Sequence, residues 1–337
     1  MPRALIIGGT GAIGRATAQR LLAAGWHVDV TGRDASHMPS ELVDAGGRFI
    51  SAERHHAHEL AVAYGAGADL LVDCICFSAA DAALTLPMVR DATSTVMISS
   101  KAVYVDADGS HSNSTRPPRF DGPVKESQPT LAPGTMDYHA PGGYGPNKVA
   151  AEHVLLESGA PVSVLRPSKV HGVGASPPRE WHFVKRVLDG RRDVVLAGHG
   201  EGTDHPSAAV NIASLIETCA AQPGRRVLNS ADPDAPTGLE ISRTIANHFD
   251  HEWREVLLDD DAPSGLGWHP WDRRPPVVLD VTAARALGWQ PVGDYAETVR
   301  RELEWLTPRR AQIDDGYFDG RFDYAAEDAW IAQQRHR

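Results

Sequence analysis

A short apolar run, "ALIIGG" (4–9), leads directly into "GGTGAIG" and then into the amphipathic stretch "AIGRATAQRLLAAG" (12–25). Gly8, Gly11 and Gly14 fall at the spacing G-x-x-G-x-x-G, between a buried strand and a helix that ends on Gly25. Glycines in that context let the backbone turn tightly and come close to a pyrophosphate, whose charge is favoured by the free amides at a helix N-terminus. The motif therefore predicts a dinucleotide site. It also restricts the fold, because such a turn works at the carboxyl edge of a parallel sheet.

The chain that follows agrees with this. "HVDVTGR" (27–33), "RFISAE" (48–53), "DLLVDCICF" (69–77), "STVMISS" (94–100) and "PVSVLRPS" (161–168) read as further strands separated by helical stretches. Apolar strands alternating with helices predict a doubly wound α/β fold, a parallel sheet covered on both faces. "RVLNSA" (226–231) reads as another strand, and 179–190, 208–221 and 238–249 as helices. The segment 105–143 is rich in Pro, Gly, Ser and Asp without periodicity, as expected of a flap over an active site. Beyond Pro308 the polar, aromatic tail is expected to pack as a final arm or helix.

Composition narrows the function. The 337 residues carry a formal charge of −11, which disfavours nucleic acid as a partner. No apolar stretch approaches the roughly 20 residues of a membrane span. The first strand begins next to Met1, leaving no room for a leader, and three cysteines cannot build a disulfide framework, so a cytoplasmic protein is expected. "RHHAHEL" (54–60) groups three histidines without a cysteine or a well-spaced acid, so no metal is expected. At the end of the second strand the usual acid is replaced by Gly32 and Arg33. An arginine can pair with a 2′-phosphate, which favours NADP, with NAD as the alternative if Asp34 reaches the ribose. Glu53 and Arg54, after the third strand, are candidate neighbours of the adenine.

"YGPNKVAAEH" places Tyr144 and Lys148 on one helix face. An ammonium near a phenol favours the phenolate, which suits a tyrosine to exchange a proton with a substrate oxygen. Ser99 and Ser100 close the fifth strand at the same sheet edge.

Together "GGTGAIG", "SSKAVY", "YGPNK" and "RPSKV" resemble the extended short-chain dehydrogenase/reductases, the NAD-dependent epimerase/dehydratase family, on a Rossmann sheet. "AAVNIASLIE" and the stretch 279–306 resemble that family's later elements, so the likeness runs over residues 3–306. The resemblance implies Tyr144 as acid/base, Lys148 as its electrostatic partner and ribose ligand, and Ser100 as a hydrogen bond to the reacting oxygen. It implies cofactor contacts from Gly8, Thr10, Gly11, Ala12, Ile13, Gly14, Arg33, Glu53, Cys76, Phe77, Ser99, Tyr144, Lys148, Pro167 and Val170. It divides the chain into a dinucleotide-binding unit (1–167, rejoined by 208–231), a substrate-binding region (168–207 and 232–308) and a tail (309–337).

The sequence departs from the family where dehydratases carry an acid after the catalytic Ser or Thr. Lys101 stands there, which argues against 4,6-dehydration. Cys74 and Cys76 read as packing residues, since nothing adjacent would activate a thiolate. Arg273 and Arg274 lie near where relatives hold a sugar-nucleotide diphosphate. The leading expectation is an oxidoreductase acting on a small-molecule carbonyl or alcohol. The alternatives are a nucleotide-sugar epimerase with tightly held cofactor and a non-catalytic dinucleotide-binding protein. Homodimerisation through the helices around 80–92 and 146–157 is a further expectation from the resemblance.

Overall fold

A computed structural model describes residues 1–313 and 316–335. In chain order its main elements are β1 (Arg3–Ile7), α1 (Ala12–Ala23), β2 (His27–Gly32), α2 (Ser40–Asp44), β3 (Arg48–Ser51), α3 (Ala57–Tyr64), β4 (Leu70–Asp73), α4 (Ala79–Asp91), β5 (Ser94–Ile98), α5 (Tyr144–Leu156) and β6 (Val162–Pro167). They are followed by β7 (Lys169–His171), α6 (Trp181–Leu188), β8 (Asp193–Leu196), β9 (Pro206–Ala208), α7 (Ala209–Ala221), β10 (Arg226–Ser230), α8 (Gly238–His248) and β11 (Arg254–Leu257). The C-terminal helices are α9 (Thr282–Ala286), α10 (Tyr295–Thr298), α11 (Arg300–Leu306) and α12 (Tyr324–Arg335).

Seven strands form one sheet in the order β10-β6-β5-β4-β1-β2-β3, and every pairing in it is parallel. The strand order reverses between β1 and β4, and ligands bind at such a switch point, outside the carboxyl ends of the strands. Alternation along β1 supplies both cores. Ala4 and Ile6 join the layer beneath α1 and α7, while Leu5 and Ile7 join the layer that includes Leu60, Val89 and Ala151 of α3, α4 and α5. A sheet buried on both faces needs apolar residues at successive positions, which is why its strands read as continuous runs.

A second, smaller core lies beyond the sheet. Trp181, Phe183, Trp271, Tyr295 and Leu303 are buried together around the parallel pair β8·β11. The tail joins that region: Phe318 is buried in the same cluster, and Glu327 of α12 forms a buried ion pair with Arg186 at 2.7 Å.

The structure corrects several boundaries. β4 stops at Asp73 instead of running to residue 77, because Asp73 Oδ1 accepts a hydrogen bond from the Ile75 amide at 3.1 Å. The carboxylate of Asp81 then accepts from the amides of Phe77 and Ser78 at 2.9 and 3.0 Å, turning the chain into α4. Strands β7, β8, β9 and β11 have no clear counterpart in the pattern of the sequence. Each has three or four residues, too few for a period of two to stand out.

The segment 105–143 lacks helix but is tied down. The Asp106 carboxylate accepts from the amides of Asp108, Ser110 and Arg119, and these backbone bonds hold its pKa below the usual range. Val124 exchanges backbone bonds with Val278 and Asp280 at 2.8 and 2.9 Å. Among the described residues, no helix is long and apolar enough to cross a membrane.

Candidate active site

Two adjoining cavities, of about 680 and 650 Å³, lie along the carboxyl edge of the sheet and share Gly8, Gly11, Ile75 and Phe77. They form one continuous cleft across the switch point. The N-terminus of α1 opens at its centre. Gly11 caps that helix without a side-chain hydrogen bond, and its first turn carries no acid, so its amides remain available to an anion. Gly14 is required by packing: a Cβ there would sit 2.6 Å from Gly8 O and from Gly9 Cα, forcing α1 off the turn. These features fit a dinucleotide with its pyrophosphate at the helix end.

The first cavity is lined by Thr10, Arg33, Glu53 and Tyr138 among others. The Arg33 side chain is exposed and has no partner among the described residues. Asp34 is engaged locally: its Oδ1 accepts from the Ser36 amide at 2.8 Å, which holds its pKa below the ordinary carboxylate range. Arg54 is turned inward, with Nη2 2.8 Å from Asp73 and 2.9 Å from Asp81 O. Burial pushes the Asp73 carboxyl upward against the pull of Arg54.

The second cavity is lined by Ala12, Ile13, Gly14, Ser99, Ser100, Tyr144, Lys148, Pro167 and Val170. Tyr144 and Lys148 lie at the start of α5, and the close approach of Gly145 holds that turn against the end of β5. A Cβ on Gly145 would meet Ala102 O at 2.8 Å. Lys148 is 1% exposed. Its Nζ donates to Cys76 O at 2.8 Å and Ile98 O at 2.9 Å and lies 4.4 Å from the Phe77 ring centroid and 5.8 Å from that of Tyr144. An ammonium has three protons, so one remains for the cleft. The Tyr144 hydroxyl has no hydrogen-bond partner among the described residues. Ser100 Oγ accepts from the Ala102 amide at 3.1 Å, which leaves its own proton free to donate.

Two of the expected contacts differ in detail. Cys76 is fully buried with its side chain in the core behind the cleft and meets the site through its carbonyl, while Cys74 and Ile75 line the cavity. Burial pushes both thiols well above the usual range, consistent with packing. Ser99 lines the cavity, but its hydroxyl donates to Glu152. Glu152 also accepts from Arg166 Nε at 3.0 Å and Nη2 at 2.5 Å, all three side chains being buried. This triad fastens α5 to β5 and β6, a function with no local sequence signal because its members are 99, 152 and 166.

The irregular segment contributes a cover. Tyr138 stacks on Phe77 with ring centroids 5.1 Å apart and planes at 17°, and Asn147 Nδ2 donates to Met136 O at 2.5 Å. Sequence reasoning missed Tyr138, Cys74, Ser168, Gly174 and Arg179, all of which border the cleft. Arg273 and Arg274 diverge. Arg274 Nε pairs with Asp272 at 2.8 Å, whereas Arg273 Nη2 reaches Ser112 O of the irregular segment at 3.5 Å.

Over residues 4–204 the chain matches the model of the NAD dependent epimerase/dehydratase family. Among solved structures, dTDP-glucose 4,6-dehydratase from Bacillus anthracis str. Ames, in complex with NAD, is similar with a TM-score of 0.68 at 16% identity, covering 92% of this chain and 98% of that one. UDP-glucose 4-epimerase from Thermotoga maritima gives 0.68 at 16%, covering 91% and 99%. UDP-glucose 4-epimerase from Thermus thermophilus, a complex with NAD, gives 0.65 at 18%, covering 90% and 98%. No curated protein matches in sequence. At these identities the structures share the fold with this chain. The family match takes in the glycine turn, the sheet edge and the Tyr144 helix together, and the chain thus belongs to the NAD dependent epimerase/dehydratase family, enzymes of the extended short-chain dehydrogenase/reductase type.

Proposed function

We propose that the protein is an NADP-dependent oxidoreductase that reduces a carbonyl or oxidises an alcohol on a small molecule. The observation that carries this reading is the Tyr144 hydroxyl, unpartnered in the cleft beside a lysine anchored from behind. Gly8, Gly11, Gly14, Arg33 and Lys148 are the residues best suited to hold the dinucleotide, which when bound would supply or accept hydride. Tyr144 Oη gives the proton to the substrate oxygen in reduction and takes it in oxidation. Ser100 Oγ donates to the same oxygen and orients it. Lys148 keeps positive charge beneath the phenol and directs its remaining proton to the cleft. The stacked pair Phe77–Tyr138 excludes water from one side of the site.

Preference for NADP rests on Arg33, exposed and unpaired among the described residues, and on Asp34, occupied with its own turn. Arg33→Ser should lower the ratio of NADPH to NADH efficiency by about tenfold or more, the worth of a charge-assisted hydrogen bond, and should leave Tm unchanged. A wild-type protein that already favours NADH would overturn the assignment.

The family match favours a second reading, a nucleotide-sugar epimerase that oxidises and re-reduces one carbon. Stoichiometry separates the two. Net loss of NADPH absorbance with a carbonyl substrate supports the oxidoreductase. Conversion of UDP-glucose with retained cofactor and no net redox change supports the epimerase and defeats the first reading.

A further inference from the structure

Beyond Ser100, two lysines pair with one carboxylate, and two arginines from other segments lie close enough to act on both lysines. Lys101 follows Ser100, Lys169 begins β7, Arg179 precedes α6, and Arg273 lies in the loop before α9. Lys101 and Lys169 both pair with Asp204, the latter at 3.3 Å, and their side chains are only 10% and 19% exposed. Asp204 itself is 2% exposed. One carboxylate cannot neutralise two ammonium groups, and the acid beside Arg273, Asp272, is already bonded to Arg274. Arg179 Nη1 donates to Val170 O at 3.2 Å and Arg273 Nη2 to Ser112 O, both neutral carbonyls. Excess positive charge of this kind in a partly buried site is costly unless an anion enters. Burial lowers Lys169 to about 7 and Lys101 well below its ordinary value, with Arg179 and Arg273 adding repulsion in both cases.

Two further donors are idle at the same place. Arg179 Nε and Ser168 Oγ are buried without a hydrogen-bond partner, and both residues line the cavity that holds Tyr144 and Ser100. The other acids acting on the cluster are Glu180 on Lys169, Glu302 on Arg179, and Asp272 on Arg273, the last shared with Arg274. Glu302 accepts from the Gly172 amide and is held protonated more readily than a free carboxyl by burial and by Glu180, so it offsets little of the excess.

We propose that Lys101, Lys169, Arg179 and Arg273 form an anion-binding subsite at the substrate end of the cleft, and that the substrate carries a carboxylate or phosphoryl group next to the carbon that reacts. This specifies the substrate class within the function proposed above and rests on Tyr144 marking the reacting end. Arginine forks and a lysine point charge are the donors that suit such oxygens. The contact of Arg273 with Ser112 places the irregular segment beside this cluster.

The test is binding to the NADP⁺-loaded protein, followed by calorimetry and thermal shift, with oxalate, inorganic phosphate and neutral acetamide as probes. Saturable binding of oxalate or phosphate but not acetamide is expected, the tighter of the two anions telling carboxylate from phosphoryl. Lys169→Met and, separately, Arg273→Gln should each weaken it about tenfold while NADP⁺ affinity stays within about twofold. Tyr144→Phe should bind the anion as the wild type does, so that failure of the catalytic reading and failure of this one are distinguishable. Anion binding that is absent, non-saturable, or equal in wild type and both charge variants overturns the proposal.

Discussion

Tyr144→Phe is expected to lower kcat by roughly 10²- to 10⁴-fold, the usual contribution of a positioned acid or base. Folding and cofactor affinity should hardly change. The hydroxyl has no partner among the described residues, so its removal leaves no buried group unsatisfied. The phenyl ring keeps its place 6.4 Å from Phe77. Lys148→Met is a poorer test, because Lys148 Nζ satisfies two buried carbonyls and their loss would mix stability with chemistry. Steady-state kinetics with NADPH, fluorescence titration of the cofactor and a melting curve decide the matter together. Full turnover by the phenylalanine variant would remove Tyr144 from the mechanism. Loss of turnover with a Tm several degrees lower would mean that the ring itself was disturbed.

Glu152→Ala carries the largest expected effect on stability. Glu152 is 1% exposed and Arg166 is 6% exposed, and they meet through two hydrogen bonds. Burial works against the guanidinium charge, but the bonds to Glu152 outweigh it and hold the Arg166 pKa above its ordinary value. Removing one partner of a buried pair typically costs about 3–5 kcal/mol, because the other charge is left without compensation. In a chain of this size that corresponds to a fall in Tm of roughly 4–7 °C. Glu152→Gln should cost less, since an amide can still accept from Ser99 or Arg166. Activity should fall with stability, because the same carboxylate holds Ser99, and with it Ser100, against the helix that bears Tyr144. An alanine variant that melts within about 1 °C of wild type would show that the triad does not fasten the layers.

How much of this could be read from the chain depends on the range over which each signal acts. The glycine turn, the apolar strands and the Tyr144–Lys148 pair are local. Each needs only a few consecutive residues, because backbone reach, side-chain alternation and helical pitch are properties of short stretches. The doubly wound sheet was therefore legible, and with it Gly8, Gly11, Ser100, Tyr144, Lys148 and Val170 of the second cavity, whereas Cys74, Ser168, Gly174 and Arg179 were not. The side chain of Cys76 was misplaced because β4 ends at Asp73, where a side-chain bond to the backbone overrides the apolar run. Such competition between Asp and the strand ladder is decided by three-dimensional context.

By itself the sequence determined the dinucleotide turn, the sheet class and the tyrosine with its lysine, since covalent geometry and hydrophobic periodicity suffice for these. Only the tertiary structure decided that Glu152 and Arg166 lock α5, that Tyr138 covers Phe77, and that Lys101 and Lys169 meet at Asp204 within reach of Arg179 and Arg273. The reason is electrostatic and steric: charge compensation and ring stacking act through space, between residues that the chain order leaves from 14 to more than a hundred positions apart.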